Sequence, residues 1–475
     1  MIDIVFAAIP YLESKEPIMA PGVLKSIAQA EGFSAVAIDL NIDIYKRIEH
    51  HALKDKIEHA LTNRVIDHDV AQEIYSIVQY CADKILDHDP RIVGLSLLTT
   101  HSQVFGLWLS LYLRHARPDV KIVIGGSGIK DFVASYQNSY CEVLKTLQII
   151  DHYIMGDGEI ALKEFLHGNL LYPGIDSPTW IQPIDISNFP YPDYTDYDFS
   201  QYDRVAIPLT DSRGCVRACE FCDIIEHWKK FVYRSADDLF KEMLHQIETH
   251  SVTHFAMRNS LTNGHMKEFN RWLDFIVDYN QSKPRDKQIS WKGYFIVREP
   301  HQHPPELWEK LAKSNATLML GVESVIQHVR WEMKKKFSNQ SIDYHLDMGR
   351  QYQVPLLLLM IVGSPSETIE DYEFTKQWFR DRVSYAHNSV VQVMLSLASV
   401  LPNTTWDRKQ KHLEIVAGNL PSNWSKKDQI ITPQYRLDYW NQLADICRPF
   451  ENPKGQINTQ KATIKVMSNE IQLHG

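Results

Sequence analysis

"RVAIPLTDSRGCVRACEFCDI", residues 204–224, joins a short apolar run to a loop carrying Cys215, Cys219 and Cys222, half of the six cysteines in a chain of 475 residues. The run reads as a strand ending near Thr210, so the cysteine loop leaves the strand at its C-terminal end. The same texture continues downstream. "THFAM", "ISWKGYFIV", "ATLMLGV", "VPLLLLMIV" and "SVVQVMLSL" read as further strands, with helical stretches near 236–250, 265–280, 305–315, 339–352 and 367–382. Six strands and five helices make most of a TIM-like barrel over 204–399, a partial (β/α)6 barrel left open because closure takes about eight strands. Barrel active sites gather where strands end in loops, which places the three cysteines at the catalytic face.

Upstream, residues 1–167 alternate strands and helices. "IDIVFAAI", "SAVAIDL", "RIVGLSLL", "KIVIGG" and "DHYIM" predict an α/β, doubly wound, Rossmann-like domain with a parallel sheet. Residues 168–203 hold five prolines and many Asp and Tyr without a sustained period, and read as an ordered linker whose tyrosines and Trp180 pack on a domain surface. Residues 400–475, with Trp406, Trp424 and Trp440, read as a C-terminal α/β extension that caps the barrel.

The net charge of −9 argues against a dedicated nucleic-acid binder, and the one dense basic run, "MKKKF" at 333–337, reads as a solvated helix end. Pro10 cuts the first apolar run short, so the N-terminus reads as a buried strand instead of a signal peptide; "VPLLLLMIV" at 354–362 is too short to span a bilayer, so no membrane insertion is expected. Cys81, Cys141 and Cys447 stand apart from one another, which suits a reducing, cytoplasmic setting.

Three thiolates at spacings of four and three on one irregular loop can meet one metal centre. A cubane of four irons normally takes four thiolates, so three would leave one iron open to a small molecule with an amine and a carboxylate. Alternatively, His227, five residues after Cys222, would complete a Cys3His zinc site, and the chain would then be a zinc-stabilised scaffold without catalysis.

Cys215-x3-Cys219-x2-Cys222, with Phe221 before the last cysteine, resembles the cluster motif of the radical S-adenosylmethionine (SAM) superfamily. "LMLGVESVIQHVRWEMKKKFS", 318–338, is similar to that superfamily's fourth strand and following helix, and "LLMIVGSPSETIEDYEFT", 358–375, to its fifth strand and "GxPxET" turn. The resemblance implies a [4Fe-4S] cluster on the three cysteines and SAM at the open iron. It implies that Phe221 lies in the SAM site, Glu323 meets the ribose hydroxyls, Ile361 to Gly363 line the adenine, Asn259 meets the methionine amine, and Arg298 or Arg330 meets its carboxylate. It also implies reductive cleavage of SAM to a 5′-deoxyadenosyl radical, with electrons from a donor of flavodoxin or ferredoxin type.

"RIVGLSLLTTHSQVFGLWLSLYLRHARPDVKIVIGGSGI", 91–129, resembles the cobalamin (B12)-binding domain that precedes the barrel in one class of these enzymes. Ser96 and Thr99 after one strand, Gly125 and Gly126 after the next, and Gly156 and Gly158 in "MGDGEIALKEF" match its landmarks. The histidine motif Asp-x-His-x-x-Gly is missing, and His88 and His101 lack its context, so the resemblance implies a corrinoid held without a histidine beneath the cobalt. The leading expectation is methylation of an unactivated carbon with cobalamin; the alternative is cobalamin-independent rearrangement, ring closure or oxidation. Methylthio transfer to transfer RNA is the neighbouring chemistry, but those enzymes carry a further three-cysteine site in the first domain, where this chain has only Cys81 and Cys141. The substrate, a small molecule or a peptide, is not readable from the sequence.

Overall fold

In the computed structural model, which describes residues 2–10, 16–62, 68–99, 102–129, 140–182, 185–187, 189–418 and 421–450, the chain forms two units. One comprises Met1–Pro208 with Glu242–Val252, the other Leu209–Lys241 with Thr253–Gly475.

The first unit is built on β1 (Ile2–Ala8), β2 (Ala35–Asp39), β3 (Pro90–Ser96), β4 (Lys121–Gly125) and β5 (His152–Ile154). They lie in the order β2-β1-β3-β4-β5, all parallel. Side chains along β1 alternate between two cores. Ile4 and Phe6 pack with Ile27 and Ala28 of helix Met19–Ala30 and Ala161, Leu162 and Phe165 of helix Gly158–Leu166. Val5 and Ala7 join a larger cluster that takes in helices Leu40–Ile48, Ala71–Leu86 and Ser102–Ala116. Burial on both faces explains why these strands read as unbroken apolar runs. The winding reverses between β1 and β3, and open sheets of this order leave a ligand crevice at the carboxyl ends there.

The structure places 168–203 inside this first unit, tied down by polar contacts. Buried Lys25 lies 3.1 Å from Asp193 and 2.7 Å from Asp196. The Tyr197 hydroxyl donates to the Ile18 carbonyl at 2.8 Å, and that of Tyr202 to the Asp39 carboxylate at 2.8 Å.

The second sheet contains β6 (Ile207–Leu209), then, after the short pair β7 (Ser212–Arg213) and β8 (Val232–Tyr233), the strands β9 (His254–Met257), β10 (Ser290–Phe295), β11 (Ala316–Glu323), β12 (Leu356–Val362) and β13 (Val391–Leu397). Its order, β13-β12-β11-β10-β9-β6, is that of an open six-stranded barrel, with pairs β9 to β13 parallel. Helices Ala236–His250, Met266–Gln281, Pro305–Lys313, Asn339–Tyr352 and Ile369–Asp381 separate the strands, as the sequence pattern predicts.

Burial along these strands has a period of two. Leu356, Leu358, Met360 and Val362 of β12 are buried, while Leu357, Leu359 and Ile361 are only partly covered. One face lies under the helices. The other, with Leu357, Leu359 and Ile361, is only partly covered. In the extension, β14 (Ile415–Val416) and β15 (Ser425–Lys426) form an antiparallel pair, and helix Pro433–Cys447 follows. All three of its tryptophans are buried: the indole N–H of Trp424 donates to the Ala398 carbonyl and that of Trp440 to the Leu395 carbonyl.

Candidate active site

The three cysteines sit on a closed hairpin. β7 and β8 pair Ser212 with Tyr233 and Arg213 with Val232, and the Arg234 N–H donates to the Asp211 carbonyl at 2.8 Å. Everything from 214 to 231 is therefore an excursion pinned at its base. At the first turn Gly214 has φ 77°, and a Cβ there would lie 2.6 Å from the Lys230 carbonyl oxygen, so only glycine serves. The far side is fastened as well. The Glu220 N–H donates to the Met333 carbonyl, the Trp406 N–H donates to the Glu220 carbonyl, and the buried Glu220 carboxylate lies 2.8 Å from Lys409.

Cys219 is buried, Cys215 and Cys222 partly so. Burial pushes the Cys222 thiol up to about 12, with Cys219, Asp223 and Cys215 adding to the shift. Burial likewise raises Cys219, with Lys335 and Arg217 opposing and Glu323 and Cys215 reinforcing it. Cys215 and Cys219 thus share one electrostatic neighbourhood with Lys335, Cys219 with Glu323 as well, and Cys222 joins it through the other two thiols.

Glu323 ends β11 in the left-handed region, φ 66°, beside an irregularity in the β11–β12 register. This unusual backbone turns its carboxylate onto Lys335, 2.8 Å away, and Lys335 also donates to the Gly321 carbonyl at 3.2 Å. Burial works against the charge on Lys335, but Glu323, Cys219 and Cys215 outweigh it and raise its pKa. The ammonium also stands 5.8 Å from the centre of the Phe221 ring, which packs on Trp406 at 5.7 Å. Lys335 is the middle lysine of the run read from sequence as a solvated helix end. Lys334 and Lys336 do face solvent, but Lys335 is turned inward between buried Met333 and Phe337. That alternation, visible in "MKKKF", is the signal that could have marked it.

The other expected residues are placed as follows. Arg298 is half-buried; its Nη2 donates to the Asn263 carbonyl at 3.3 Å, while its Nε is buried without a hydrogen-bond partner. Burial, and then the nearby Arg217 of the cysteine hairpin, lower its pKa. Arg330 is fully buried, its terminal nitrogens donating to the Ser324 carbonyl at 2.7 Å, to the Phe337 carbonyl at 3.4 Å and to the Asn339 side chain, while its Nε, like that of Arg298, has no hydrogen-bond partner. Asn259 donates to Asp211 and, at 3.1 Å, to the Ser212 hydroxyl. Burial pushes that aspartate up to about 8. Ile361 lies on the partly covered face of β12, and Gly363 packs on Arg436, whose guanidinium donates to the Ala398 and Trp424 carbonyls. The structure therefore gathers the cysteines, Phe221 and Glu323 directly and Arg298 through Arg217. Asn259, Arg330 and Gly363 lie against other residues, and Ile361 is a partly covered residue of β12.

Among the described residues, no three or more His, Cys, Asp or Glu side chains are gathered for a single metal ion. His227, the fourth ligand of the zinc reading, has its Nε2 3.3 Å from Asp223. One buried and two partly buried thiols on one pinned loop, with the unpaired Nε of Arg298 linked to that loop through Arg217, fit a larger cluster and a carboxylate-bearing ligand.

At the carboxyl ends of the first sheet, Ser96 is buried at the end of β3 and Thr99 lies three residues beyond, its hydroxyl 3.4 Å from that of Ser102. Gly126 follows β4 with φ 95°, and a Cβ would stand 2.4 Å from the Leu97 carbonyl oxygen. The loops after β3 and β4 therefore touch backbone to backbone, with the Gly128 N–H donating to the Leu97 carbonyl at 2.8 Å. Gly125 closes β4, Gly156 bridges to Ile181, and Gly158 begins helix Gly158–Leu166. His88 is exposed at the opposite end of the sheet, just before β3 begins; His101 lies outside the described residues.

Residues 209–379 match the family described as the Radical SAM superfamily. A tRNA-2-methylthio-N(6)-dimethylallyladenosine synthase of Methylobacillus flagellatus is 26% identical over 216 residues, 43% of this chain and 47% of its own length. A putative methylthiotransferase of Methanocaldococcus jannaschii is 20% identical over 324 residues, 63% of this chain and 68% of its own. This chain thus spans about half of the first relative and about two thirds of the second. Among solved structures, the radical SAM methyltransferase TsrM of Kitasatospora setae, with cobalamin and a [4Fe-4S] cluster bound, superposes with a TM-score of 0.62 at 13% identity, over 96% of this chain and 92% of that one. The cobalamin-dependent SAM radical enzyme OxsB gives 0.65 at 14% identity, over 99% of this chain and 71% of that one.

Residues 209–379 of the second unit, with the cysteine hairpin at their start, are thus similar to the Radical SAM superfamily. The doubly wound sheet followed by an open barrel is the fold shared with these two solved structures.

Proposed function

We propose that the chain binds a [4Fe-4S] cluster through Cys215, Cys219 and Cys222, cleaves SAM reductively, and methylates an unactivated carbon with cobalamin carried by the first unit. The observation that carries the reading is the pinned hairpin presenting three thiols beside the Glu323–Lys335 pair. Bound there, the cluster and SAM supply an electron and a 5′-deoxyadenosyl radical, and cobalamin carries the methyl group. Arg298 takes the methionine carboxylate with its unpaired Nε and Arg330 stays in its loop, Asn259 faces the amine, Glu323 holds the ribose, and Ile361 to Gly363 line the adenine. Phe221 and Trp406 shut water out beside the hairpin. Ser96, Thr99, Gly125, Gly126, Gly156 and Gly158 border the corrinoid's place. Substrate, small molecule or peptide, enters by the open barrel interior. Electrons come from a flavodoxin or ferredoxin type of donor, and the setting is the cytoplasm. No helix among the described residues is long and apolar enough to cross a membrane.

The curated relatives favour a second reading, methylthio transfer. Against it, Cys81 and Cys141 of the first unit are both wholly buried in one apolar cluster, where they are packing residues. Radical chemistry without cobalamin uses the same second unit and differs only in leaving the first sheet empty. Anaerobic reconstitution with iron and sulfide tests the core of the proposal. About four irons per chain and SAM-dependent release of 5′-deoxyadenosine are expected; zinc without inorganic sulfide would falsify it.

A further inference from the structure

Two histidines far apart in sequence, His303 and His345, are wholly buried in the second unit and bonded to each other, Nδ1 of His303 to Nε2 of His345 at 2.8 Å. Their tautomers follow from what lies at each end. Nδ1 of His345 is 2.7 Å from the Ser341 carbonyl oxygen, which can only accept, so this nitrogen carries the proton and Nε2 is an acceptor. Nδ1 of His303 must then donate to it. That leaves Nε2 of His303 to accept from the Asn263 amide, 3.3 Å away. Burial keeps both rings neutral, pushing His303 down to about 2, with His345 and Arg298 adding to the shift, and His345 down to about 4. The chain of donors therefore runs one way, from Asn263 through His303 and His345 to the main chain of helix Asn339–Tyr352.

Asn263 is the hinge of this arrangement. Its Oδ1 accepts from the Ile296 N–H at 2.8 Å and its Nδ2 donates to the Ile296 carbonyl at 3.2 Å, extending the end of β10 by a side-chain pairing. Its own carbonyl accepts from Nη2 of Arg298, two residues further on. The Tyr344 hydroxyl donates to the His303 carbonyl at 2.7 Å and fixes the ring's backbone. Each member of the relay is satisfied, whereas Nε of Arg298 at its end is buried and unpaired.

We propose that His303 and His345 are positioning residues for SAM: through Asn263 they hold the Arg298 guanidinium with its unpaired edge set to receive the ligand's carboxylate. This rests on the cofactor reading above and adds to it a relay that touches neither ligand nor cluster. The energetic logic is that a half-buried cation with one main-chain bond would otherwise sample several rotamers, and each would have to be frozen on binding.

The test is equilibrium binding to the cluster-reconstituted full chain of two ligands, SAM and decarboxylated SAM, the second lacking only the group that Arg298 would hold. His303→Phe keeps the ring's bulk but deletes the bonds of His303 to Asn263 and to His345. We expect it to weaken SAM about tenfold, about 1.4 kcal/mol, while binding decarboxylated SAM as wild type does and keeping its iron content. His345→Gln, whose amide oxygen can accept from His303, is expected to stay within about twofold of wild type for both ligands. Unchanged SAM binding in His303→Phe, or an equal loss for both ligands, overturns the relay. A His303→Phe chain that fails to fold leaves the decision to His345→Leu, which removes the acceptor of His303 together with the bond to the Ser341 carbonyl and must show the same selective loss. If wild type itself binds neither ligand, the cofactor reading fails, and the wild-type arm distinguishes that failure from failure of the relay alone.

Discussion

Cys219 is the most covered of the three hairpin thiols, and its sulfur faces Lys335, Glu323 and Cys215 at once. Replacing it with alanine removes one buried sulfur atom, a cost of about 1 to 2 kcal/mol in stability. On the proposed reading the same change would remove one of the three protein ligands of the cluster. Cys219→Ala is therefore expected to unfold only a few degrees below wild type while producing no 5′-deoxyadenosine above background; undiminished production would show that the hairpin is not the cluster site. A second residue, Asp39, reports on the first unit. It is wholly buried, and burial raises its pKa to about 6, although Tyr202 and the N–H groups of Ile18, Ile42 and Asn41 pull the other way. The folded value lies above the unfolded one, so the folded state holds this proton more tightly. The contribution is complete below about pH 4 and is lost as pH rises through about 6. A gap of about two pH units is worth about 3 kcal/mol. Relative to Asp39→Asn, wild type is expected to lose urea resistance between pH 4 and pH 7 by an amount of that order. A pH-independent difference would mean that Asp39 stays ionised throughout.

Among the elements, the strands were legible because burial on one or both faces leaves an apolar period in sequence, and all eleven strand segments named from the sequence are found in the two sheets. The cysteine hairpin was legible as a motif but not as a hairpin. Its closure depends on a two-residue pair, β7 with β8, too short to leave a periodic trace, and on Gly214 facing the Lys230 carbonyl. The inward Lys335 was hidden among like charges, and the His303–His345 pair spans 42 positions that no local pattern connects. Arg330 illustrates the converse. It stands in a matching stretch of sequence, yet both of its terminal nitrogens bond groups that only the folded loop brings together, and its Nε alone is left buried without a partner. The hairpin makes its own prediction. Gly214→Ala introduces a Cβ at 2.6 Å from a carbonyl oxygen in a backbone region that disfavours side chains, a strain of at least about 1 kcal/mol, and one that falls on the hairpin base instead of the barrel. Iron retained after gel filtration is expected to fall to less than half of the wild-type value with the barrel's thermal transition within a few degrees of wild type. Full iron retention would show that the base of the loop does not set the cluster site.

At the scale of the whole molecule, the open question is what the first sheet holds. Its strand order leaves a crevice beside β1 and β3, and the loops after β3 and β4 are drawn into backbone contact by Gly126 and Gly128, which makes a flat, hydroxyl-bearing border at Ser96 and Thr99. A nucleotide tail can approach such a border closely. A corrinoid held there by the usual histidine would need an imidazole at that same end. His88 is exposed at the other end, before β3 begins, and no Asp-x-His-x-x-Gly motif occurs in the domain. The expected outcome is specific: the reconstituted full chain retains about one cobalamin per chain, and in the cob(II)alamin state its electron paramagnetic resonance spectrum shows no nitrogen hyperfine splitting from an axial ligand. Splitting from a bound nitrogen would place a histidine under the cobalt, His101 being the first candidate, and would refute a corrinoid held without a protein ligand. Retention of no cobalamin at all would move the enzyme to radical chemistry without a methyl carrier, with the first sheet kept as architecture while the cysteine hairpin, Glu323 and Arg298 served the same cleavage of SAM.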